Sequence, residues 1–389
     1  MMQCHKKPVM PQGFSCSSKN CGLKEQGADL SLFYSKVPAS AAAVFTRNQF
    51  PGAPVILGRE LIQRGQLQAI VVNSKISNVG TGQQGIDNAA KTGQAAAKEM
   101  KIAPEDVIMS STGVIGVQLP VELLEAGIQG MGQELQEDPL VAAEGIMTTD
   151  TYPKALSLSV GEATLTIVGK GSGMIEPNMA TMLVYIFTDA KIAAPLLDQM
   201  LRTAVNQSFN MLSVDTDTST SDSCVMMANG LAGEVDTEEF QKALDFACIE
   251  MTKMLARDGE GAGKLLVTKV KEAKTDQEAR FIAKALVNSP LIKTMAYGAD
   301  PNIGRILMAV GKCFDCTVVP EKLVCHINGT LVYQNSNRTN FDETAVRELL
   351  SGETVEIEVR LQVGTGQGTA YGCDLTEGYI KENASYYSS

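Results

Sequence analysis

The sequence predicts a mixed α/β or α+β fold. Short apolar runs, of the kind found in buried strands, alternate with longer segments of helical periodicity along most of the 389 residues. Hydrophobic residues make up 44% of the chain and charged residues 20%, which is the balance of a globular protein with a sizeable core. The sequence contains no internal repeat, low-complexity tract or clear linker, and disorder is therefore excluded as its main state.

In the first half of the chain, strand and helix signals alternate, and two β-rich runs flank a two-residue turn. Residues 1–12 lack such a pattern and are expected to form a loose end. Strands are predicted at Ala69–Val72, Val107–Ser110 and Met182–Phe187, helices at Asn88–Met100 and Val121–Leu135, and a β-hairpin at Leu156–Val160 and Ala163–Val168.

The second half continues the alternation. Thr237 is expected to cap one helix, because its hydroxyl accepts hydrogen bonds from free N–H groups, and Glu238 and Glu239 suit the positive end of that helix. Helices are predicted at about 194–209, 237–257, 276–287 and 342–350, and strands at Cys224–Ala228, Leu265–Val270 and Val355–Leu361.

Charge and hydropathy exclude several classes of protein. The net charge of −11 argues against a nucleic-acid surface, which needs clustered lysine and arginine. The longest apolar run, Met182–Phe187, is far shorter than the roughly 18 residues of a membrane span. The N-terminal residues lack the apolar region of a signal peptide. A cytoplasmic protein without a membrane partner is therefore expected.

The numbers of histidine and cysteine residues limit which catalytic bases, metal sites and redox reactions are expected. With two histidines, His5 and His326, a histidine base and a multi-histidine metal site are both disfavoured. The nine cysteines are scattered and are expected to be reduced and mostly buried. Cys313 and Cys316 form a lone CxxC without a second pair at zinc spacing, which favours neither zinc binding nor redox chemistry.

For three polar or glycine-rich motifs, a purely structural interpretation competes with a ligand-binding one. Gly80–Gly85 fits GxGxxG, but polar residues separate it from the preceding strand, which favours a tight turn or small-ligand loop over dinucleotide binding. Gly259–Lys264 lacks the flanking residues of a Walker A loop; a ligand loop and a plain helix stop both stay open. The acidic segment Asp215–Asp222 lacks the glycine and glutamate of an EF-hand, so a polar turn is expected.

Two segments suggest acyl-transfer chemistry. In Ser111–Gly116 (STGVIG), a hydroxyl beside glycine lets a side-chain O–H and a backbone N–H point at one place, as in an oxyanion hole. In Lys170–Met182 (KGSGMIEPNMATM), a loop leads into a strand, and Thr181 is a candidate nucleophile. Cleavage after Ala180 would give Thr181 a free α-amine, a base that titrates near about 7.7–8.0.

The stretch KGSGMIEPNMATML strongly resembles the self-cleavage segment of the ornithine acetyltransferase (glutamate N-acetyltransferase) family of arginine biosynthesis. The resemblance covers nearly the whole chain after about Gln12. Further similar segments, in the same order, are AAAVFTRNQFPGAPV, STGVIG, IMTTDTYPK, DTSTSD, ANGLAG, DGEGAGK, VNSPLIKT, DPNIGRI and GCDLTEGYI.

The resemblance implies roles for individual residues. Thr181 matches the nucleophile, with self-cleavage between Ala180 and Thr181, and Thr112 and Gly113 match the oxyanion-hole pair. The positions that match substrate contacts are Thr148, Lys170, Thr181, Glu260, Asn383 and, less securely because Ser389 follows it, Ser388.

The resemblance also implies an architecture. It predicts an α/β (α+β) sandwich of the self-processing ornithine acetyltransferase type, which is N-terminal-nucleophile-like and shared with certain self-processing aminopeptidases. Cleavage would give an alpha fragment, 1–180, and a beta fragment, 181–389, that stay together, with two of each in a heterotetramer. No metal or cofactor is expected, and acetyl-CoA is a substrate only if the enzyme is bifunctional.

Some positions depart from the family pattern. The usual NSGNANACTG reads NSKISNVGTG at 73–82, with Lys75 and Ile76 replacing small residues. Ile303 replaces a tryptophan, Gly263 a threonine, and Glu176 an alanine. The predicted reaction is acetyl transfer from N2-acetylornithine to glutamate through an acetyl-Thr181 intermediate. The alternatives are the same chemistry on another N-acyl amino acid or guanidino compound, hydrolysis of the acyl group, or an inactive scaffold.

Overall fold

A computed structural model describes residues 2–176 and 182–384 of the chain. Strands and helices alternate through both ranges, as the apolar patterns predict. The strands are β1 (Gln3–Cys4), β2 (Phe14–Lys19), β3 (Leu30–Phe45), β4 (Gln66–Asn73), β5 (Val107–Ser111), β6 (Lys154–Val160), β7 (Ala163–Lys170), β8 (Leu183–Ala190), β9 (Leu212–Ser213), β10 (Ser223–Gly233), β11 (Leu265–Ala273), β12 (Val324–Ile327), β13 (Thr330–Gln334), β14 (Asn337–Arg338), β15 (Thr354–Arg360) and β16 (Gly366–Cys373).

The α-helices connect these strands, and several begin with proline in the first turn, where its missing N–H costs no hydrogen bond. Of the part that the structure describes, no helix is long and apolar enough to cross a membrane. The helices are α1 (Ala53–Leu61), α2 (Gly82–Met100), α3 (Val121–Ile128), α4 (Pro139–Ile146), α5 (Ala194–Gln207), α6 (Thr237–Arg257), α7 (Asp276–Val287), α8 (Pro290–Tyr297), α9 (Ile303–Gly311), α10 (Glu343–Leu350) and α11 (Glu377–Ala384).

The chain forms two compact units, each with its own mixed sheet. The first unit comprises the described part of Met1–Asn210 together with Asp217–Met251. The second comprises Met211–Thr216 and the described part of Thr252–Ser389. These units are defined by packing, whereas the predicted boundary after Ala180 concerns covalent cleavage and stays a prediction.

In the first unit, the sheet has the strand order β1-β6-β7-β8-β10-β3-β4-β5, and β2 pairs with β3. Its centre is built on large buried side chains; the rings of Phe33 and Phe187 stack with centroids 5.0 Å apart. Strands β4 and β5 are parallel, with Asn73 opposite Ser111 at their carboxyl ends. The loops that follow these two strands therefore start at the same edge of the sheet.

In the second unit, the sheet has the order β14-β13-β12-β15-β11-β16-β9. Its apolar core includes buried residues of β11 and β15, such as Val270 and Ile357, and of α7 and α9, such as Ile282 and Ile306. Helices α7 and α9 each carry one apolar stripe, and burying that stripe against the sheet is what stabilises an amphipathic helix of this length.

The predicted strands and helices are present with boundary shifts, and two details were wrong. Helix α3 ends at Ile128 rather than at 135, because Gly130 takes a left-handed φ of +84° that cannot continue a helix. Helix α6 starts at Thr237, so the preceding Asp236 is its cap: the Asp236 carboxylate accepts from the N–H of Glu239 at 2.8 Å.

The prediction that residues 1–12 are loose was also wrong. Strand β1 pairs with β6, with Gln3 opposite Ser159. The His5 ring nitrogen Nε2 lies 2.7 Å from the Ser159 hydroxyl, and Met10 is buried. Backbone and hydroxyl groups on the outer edge of β6 thus give the N-terminal residues partners that no local sequence pattern reveals.

Candidate active site

Hydrogen bonds join the loops after β4 and β5 at the edge of the first sheet. The Asn73 carbonyl accepts from the N–H of Thr112 at 3.0 Å, and the Asn73 side chain accepts from the Ser111 hydroxyl at 2.6 Å. Further along, the Val114 N–H donates to the Lys75 carbonyl at 2.9 Å. Thr112 and Gly113, the predicted oxyanion pair, are therefore held in a fixed position directly beyond β5.

Gly113 occupies a place that only glycine can fill. Its φ of +127° is rarely adopted by residues with a side chain, and a Cβ there would lie 2.2 Å from the carbonyl carbon and oxygen of Lys75. Within the described residues, no hydrogen bond engages the Gly113 N–H. This N–H is therefore available to a ligand.

Lys170, the last residue of β7, reaches the same place. Its side chain is buried, and its Nζ donates to the Thr112 Oγ1 at 3.1 Å. Because the Thr112 oxygen accepts this bond, its own proton must point away from Lys170 and can be donated to another acceptor. The structure thus brings together Thr112, Gly113 and Lys170, three of the residues predicted from the sequence.

Asp150 lies among these groups and was not singled out from the sequence. Its carboxylate accepts from Lys154 Nζ at 2.8 Å, from the Gly171 N–H at 2.7 Å and from the Thr148 N–H at 3.0 Å. Burial alone would raise the pKa of Asp150, but the positive charges of Lys170 and Lys154 and these hydrogen bonds outweigh it and lower the pKa. The one sequence feature that could have pointed to Asp150 was its spacing of four residues from Lys154 in TTDTYPK.

Lys24, from the loop after β2, adds another cation that the sequence did not indicate. Its Nζ donates to the carbonyls of Met147 at 2.8 Å and Ala28 at 3.1 Å. Its pKa is lowered chiefly by burial; the carboxylates of Asp29 and Asp150 oppose this shift, and the charges of Lys170 and Lys75 add to it. Lys24 is thus a cation held by backbone carbonyls, near enough to Lys170 and Lys75 for their charges to affect it.

Glu260 and Asn383, two predicted substrate contacts, meet in the second unit. The Asn383 side-chain amide donates to the Glu260 carboxylate at 2.7 Å, and Glu260 is buried. Glycines make this approach possible: a Cβ on Gly261 would lie 2.3 Å from backbone atoms at Gly378 and Tyr379. The loop after α6 is thereby packed against the start of α11.

Lys264 ends the same loop and has a structural role. Its Nζ donates to the Ala296 carbonyl at 2.7 Å and to the Leu350 carbonyl at 2.8 Å, near the ends of α8 and α10. Helix C-termini present free carbonyls that a cation stabilises. Helix α6 ends at Arg257, directly before this motif, which fits a helix stop, and the buried Glu260 keeps the ligand-loop interpretation open as well.

Gly263 leaves a buried carboxylate oxygen unsatisfied. Asp374 accepts from the N–H groups of Gly263 and Lys264 through Oδ1, but its buried Oδ2 has no partner among the residues that the structure describes. A Cβ on Gly263 would lie 3.3 Å from that Oδ2. The threonine usual at this position in the similar family would place a hydroxyl beside it.

Gly263→Thr is therefore expected to stabilise the protein. A new hydrogen bond to a charged group and the loss of glycine's freedom in the unfolded chain should raise the free energy of unfolding by about 1 kcal/mol. Chemical denaturation would measure this. Gly263→Val, which has the same shape without the hydroxyl, is the control and should destabilise; equal behaviour of the two variants would contradict the hydrogen-bond explanation.

The other residues predicted from the sequence lie as follows. Thr148 is half-buried and contributes its N–H to Asp150. Ala180, Thr181 and Ser388 lie outside the described residues. Gly80–Gly85 forms the tight turn that starts α2, with positive φ at Gly80 and Gly82.

The cysteines are free thiols, mostly buried, and burial raises the pKa of Cys16 and of Cys325 to about 12 each, so both are unreactive at neutral pH. Over the described ranges, no cluster of three or more histidine, cysteine, aspartate or glutamate residues is arranged to hold a metal.

A hydroxyl, a backbone N–H and a buried ammonium at one edge of a mixed sheet define an α/β protein with a candidate acyl-transfer site. A model of the ArgJ family matches residues 15–388. The chain is 47% identical to arginine biosynthesis bifunctional protein ArgJ 2 of Nostoc sp., over 97% of each chain. It is 42% identical to glutamate N-acetyltransferase Oat2 of Streptomyces clavuligerus, over 97% of this chain and 98% of the relative.

A solved structure, that of arginine biosynthesis bifunctional protein ArgJ from Bacillus halodurans, is also similar. It is 41% identical with a TM-score of 0.50, and the match covers 52% of this chain and 98% of that chain. This chain belongs to the ArgJ family. The family resemblance and the fold class predicted from the sequence are thereby confirmed.

Proposed function

We propose that this chain is a self-processing acetyltransferase that moves the acetyl group of N2-acetylornithine to glutamate. Membership of the ArgJ family, with relatives named arginine biosynthesis bifunctional protein and glutamate N-acetyltransferase, supports an acetyltransferase of arginine biosynthesis. The proposal for the reaction rests mainly on one observation: the Thr112 hydroxyl, oriented by Lys170 at 3.1 Å, lies beside the available N–H of Gly113.

In the first half-reaction, the α-amine of Thr181 takes the proton of its own hydroxyl while the oxygen attacks the acetyl carbonyl. Thr112 and Gly113 donate hydrogen bonds to the oxyanion of the tetrahedral intermediate. The carbon–nitrogen bond then breaks, and the proton passes to the departing ornithine amine. Lys170 is assigned to the substrate carboxylate by its charge, and Glu260 stays a predicted substrate contact of the second unit.

In the second half-reaction, the amine of glutamate attacks the acetyl ester of Thr181. The same two donors hold the oxyanion, the ester bond breaks, and the proton of the glutamate amine returns to the Thr181 oxygen. N-acetylglutamate leaves and the enzyme is regenerated. Ordinary acid–base chemistry accounts for each step, so we propose that no metal or cofactor is used.

The active form proposed is a pair of fragments, 1–180 and 181–389, assembled two and two. The Bacillus halodurans chain supports fragmentation within the family, since 98% of it matches 52% of this chain and it is thus about half as long. Asn383 and Ser388 are proposed substrate contacts that belong to the beta fragment.

The test is transfer of isotope-labelled acetyl from N2-acetylornithine to glutamate by purified, cleaved protein, followed by mass spectrometry. Label in N-acetylglutamate without acetyl-CoA is the expected result. A parallel incubation of acetyl-CoA with glutamate tests bifunctionality. Label that reaches water or another amine but never glutamate would favour the hydrolytic or specialised-pathway alternative instead, and the absence of any turnover would favour a scaffold.

Lys75 stands where the family resemblance leads one to expect a small residue. Its φ of +75° is left-handed, a conformation that costs a residue with a side chain roughly 1 kcal/mol. Its carbonyl contacts the Gly113 loop, and its charge acts on the same region as that of Lys170. A strained lysine at this place adds a cation that favours an acidic acceptor.

Lys75→Gly is expected to raise KM for glutamate more than it changes kcat, because a contact made equally in the ground and transition states affects KM alone. Steady-state kinetics at varied glutamate would measure both. Lys101→Gly is the matched control: Lys101 is also left-handed, at +57°, but is exposed at the end of α2. An unchanged KM for glutamate in Lys75→Gly would remove Lys75 from acceptor selection.

A further inference from the structure

Asp150 joins two segments that carry proposed site residues. One of its carboxylate oxygens accepts from the Gly171 N–H at 2.7 Å, directly after Lys170 at the end of β7. The other accepts from the Thr148 N–H at 3.0 Å, in the loop after α4. A single buried carboxylate therefore fixes the backbone from which Lys170 reaches Thr112 and the backbone that carries Thr148.

The ion pair of Asp150 with Lys154 is buried completely, with both side chains 0% exposed. Such a pair is a poor means of stabilising a fold, since well-packed apolar residues of similar volume often serve equally well or better. A carboxylate can do two things that an apolar side chain cannot. It accepts several hydrogen bonds at once, and its negative charge offsets the repulsion between Lys154 and Lys170.

The turn that Asp150 holds has a demanding conformation. Gly171 has a φ of +156°, a value that side-chain-bearing residues rarely adopt. The hydrogen bond from its N–H to Asp150 fixes this turn, and with it the direction in which the Lys170 side chain leaves the strand. That direction decides whether the ammonium meets Thr112 Oγ1 at 3.1 Å.

We propose that Asp150 is a positioning residue of the acetyl-transfer site, which holds Lys170 against Thr112 and fixes the Thr148 backbone. The proposal rests on the proposed function. Its effect is indirect: Asp150 keeps the oxyanion donor and the carboxylate-binding ammonium in place before substrate arrives. Misplacing such groups by about 1 Å costs on the order of a hundredfold in rate.

The test uses the paired variant Asp150→Asn/Lys154→Met, which removes both buried charges so that neither is left without a counter-charge. The paired variant is expected to fold and to cleave, and its kcat for acetyl transfer should fall about a hundredfold, normalised to cleaved protein. Lys154→Met alone retains the Asp150 contacts to Gly171 and Thr148 and should keep kcat within about tenfold of wild type.

A control is the partly exposed ion pair Arg64–Asp106 in the same unit, with Nη1 and Oδ1 3.0 Å apart. Arg64→Met/Asp106→Asn removes an ion pair outside the proposed machinery and should leave kcat unchanged. If the paired Asp150 variant keeps kcat within threefold of wild type, or merely melts at a lower temperature with full activity of the folded fraction, Asp150 is structural only and the proposal is wrong.

If the paired variant does not fold, Asp150→Glu gives the same discrimination, because it keeps the charge but moves the oxygens by one methylene. A folded Asp150→Glu protein should have a kcat at least about tenfold lower, and wild-type kcat would overturn the proposal. Wild-type protein in the same assay distinguishes a failure of the proposed function from a failure of the role proposed for Asp150. Wild type that never acetylates glutamate overturns the proposed function, whereas active wild type with an equally active variant overturns the role of Asp150 alone.

Discussion

Thr181→Ala protein is expected to remain one 389-residue chain and to transfer no acetyl group, whereas wild type gives the fragments 1–180 and 181–389. The Thr181 hydroxyl is proposed to attack the Ala180 carbonyl. The amide carbon–nitrogen bond breaks as the ester forms, which frees the Thr181 α-amine, and water then hydrolyses the ester to the Ala180 carboxylate and the Thr181 hydroxyl. Alanine has no oxygen for either self-cleavage or acetyl transfer. Mass spectrometry under denaturing conditions, together with the labelled transfer assay, measures both outcomes.

Thr181→Ser is the control for this experiment, because it keeps both the hydroxyl and the future α-amine. It is expected to cleave and to retain measurable transfer. Wild-type protein found only as the full-length chain would contradict the self-processing mechanism at its first step.

Thr112→Ala is expected to lower kcat by about 10²–10³, which is the usual cost of losing one oxyanion donor. The fold should be unaffected, since Thr112 keeps its backbone bond to the Asn73 carbonyl. Thr112→Ser keeps the hydroxyl and should stay far closer to wild type. Rates must be normalised to cleaved protein, because self-cleavage passes through its own oxyanion and can use the same donors.

A Thr112→Ala rate within about threefold of wild type would exclude the hydroxyl from the site, given what one such donor contributes elsewhere. A parallel slowing of self-cleavage would instead show that both reactions share this donor.

The sequence predicted buried strands well and long-range pairing poorly. AIVV at Ala69–Val72 is apolar throughout, as expected of a strand buried on both faces, and it lies within β4. Strand β3 escaped prediction because its second half is rich in alanine and serine and contains Pro38. In the structure, the pairing register between β3 and β4 shifts between Tyr34 and Ala39, so the proline falls where its missing N–H disturbs no ladder.

Site residues were predictable where a motif was continuous and unpredictable where the fold assembled them. Thr112, Gly113 and Lys170 came from motifs, and the structure places the first two beside Lys170. Asp150 accepts a hydrogen bond from Gly171, 21 residues away, and Lys24 donates one to the Met147 carbonyl, 123 residues away. Such partners are set by sheet order, which local periodicity does not encode.

The order of strands in the first sheet has a consequence for the two fragments. A cut after Ala180 falls between β7 and β8, which are antiparallel neighbours, and β10 lies between β8 and β3. Strands of the beta fragment are thus inserted between strands of the alpha fragment and hydrogen-bonded to them on both sides. Separating the fragments would require breaking the hydrogen bonds of two full ladders. The proposed cleavage would therefore remove a covalent bond without creating a subunit interface that can dissociate. If the chain is cleaved as proposed, the two fragments stay interleaved in one sheet for as long as the first unit is folded.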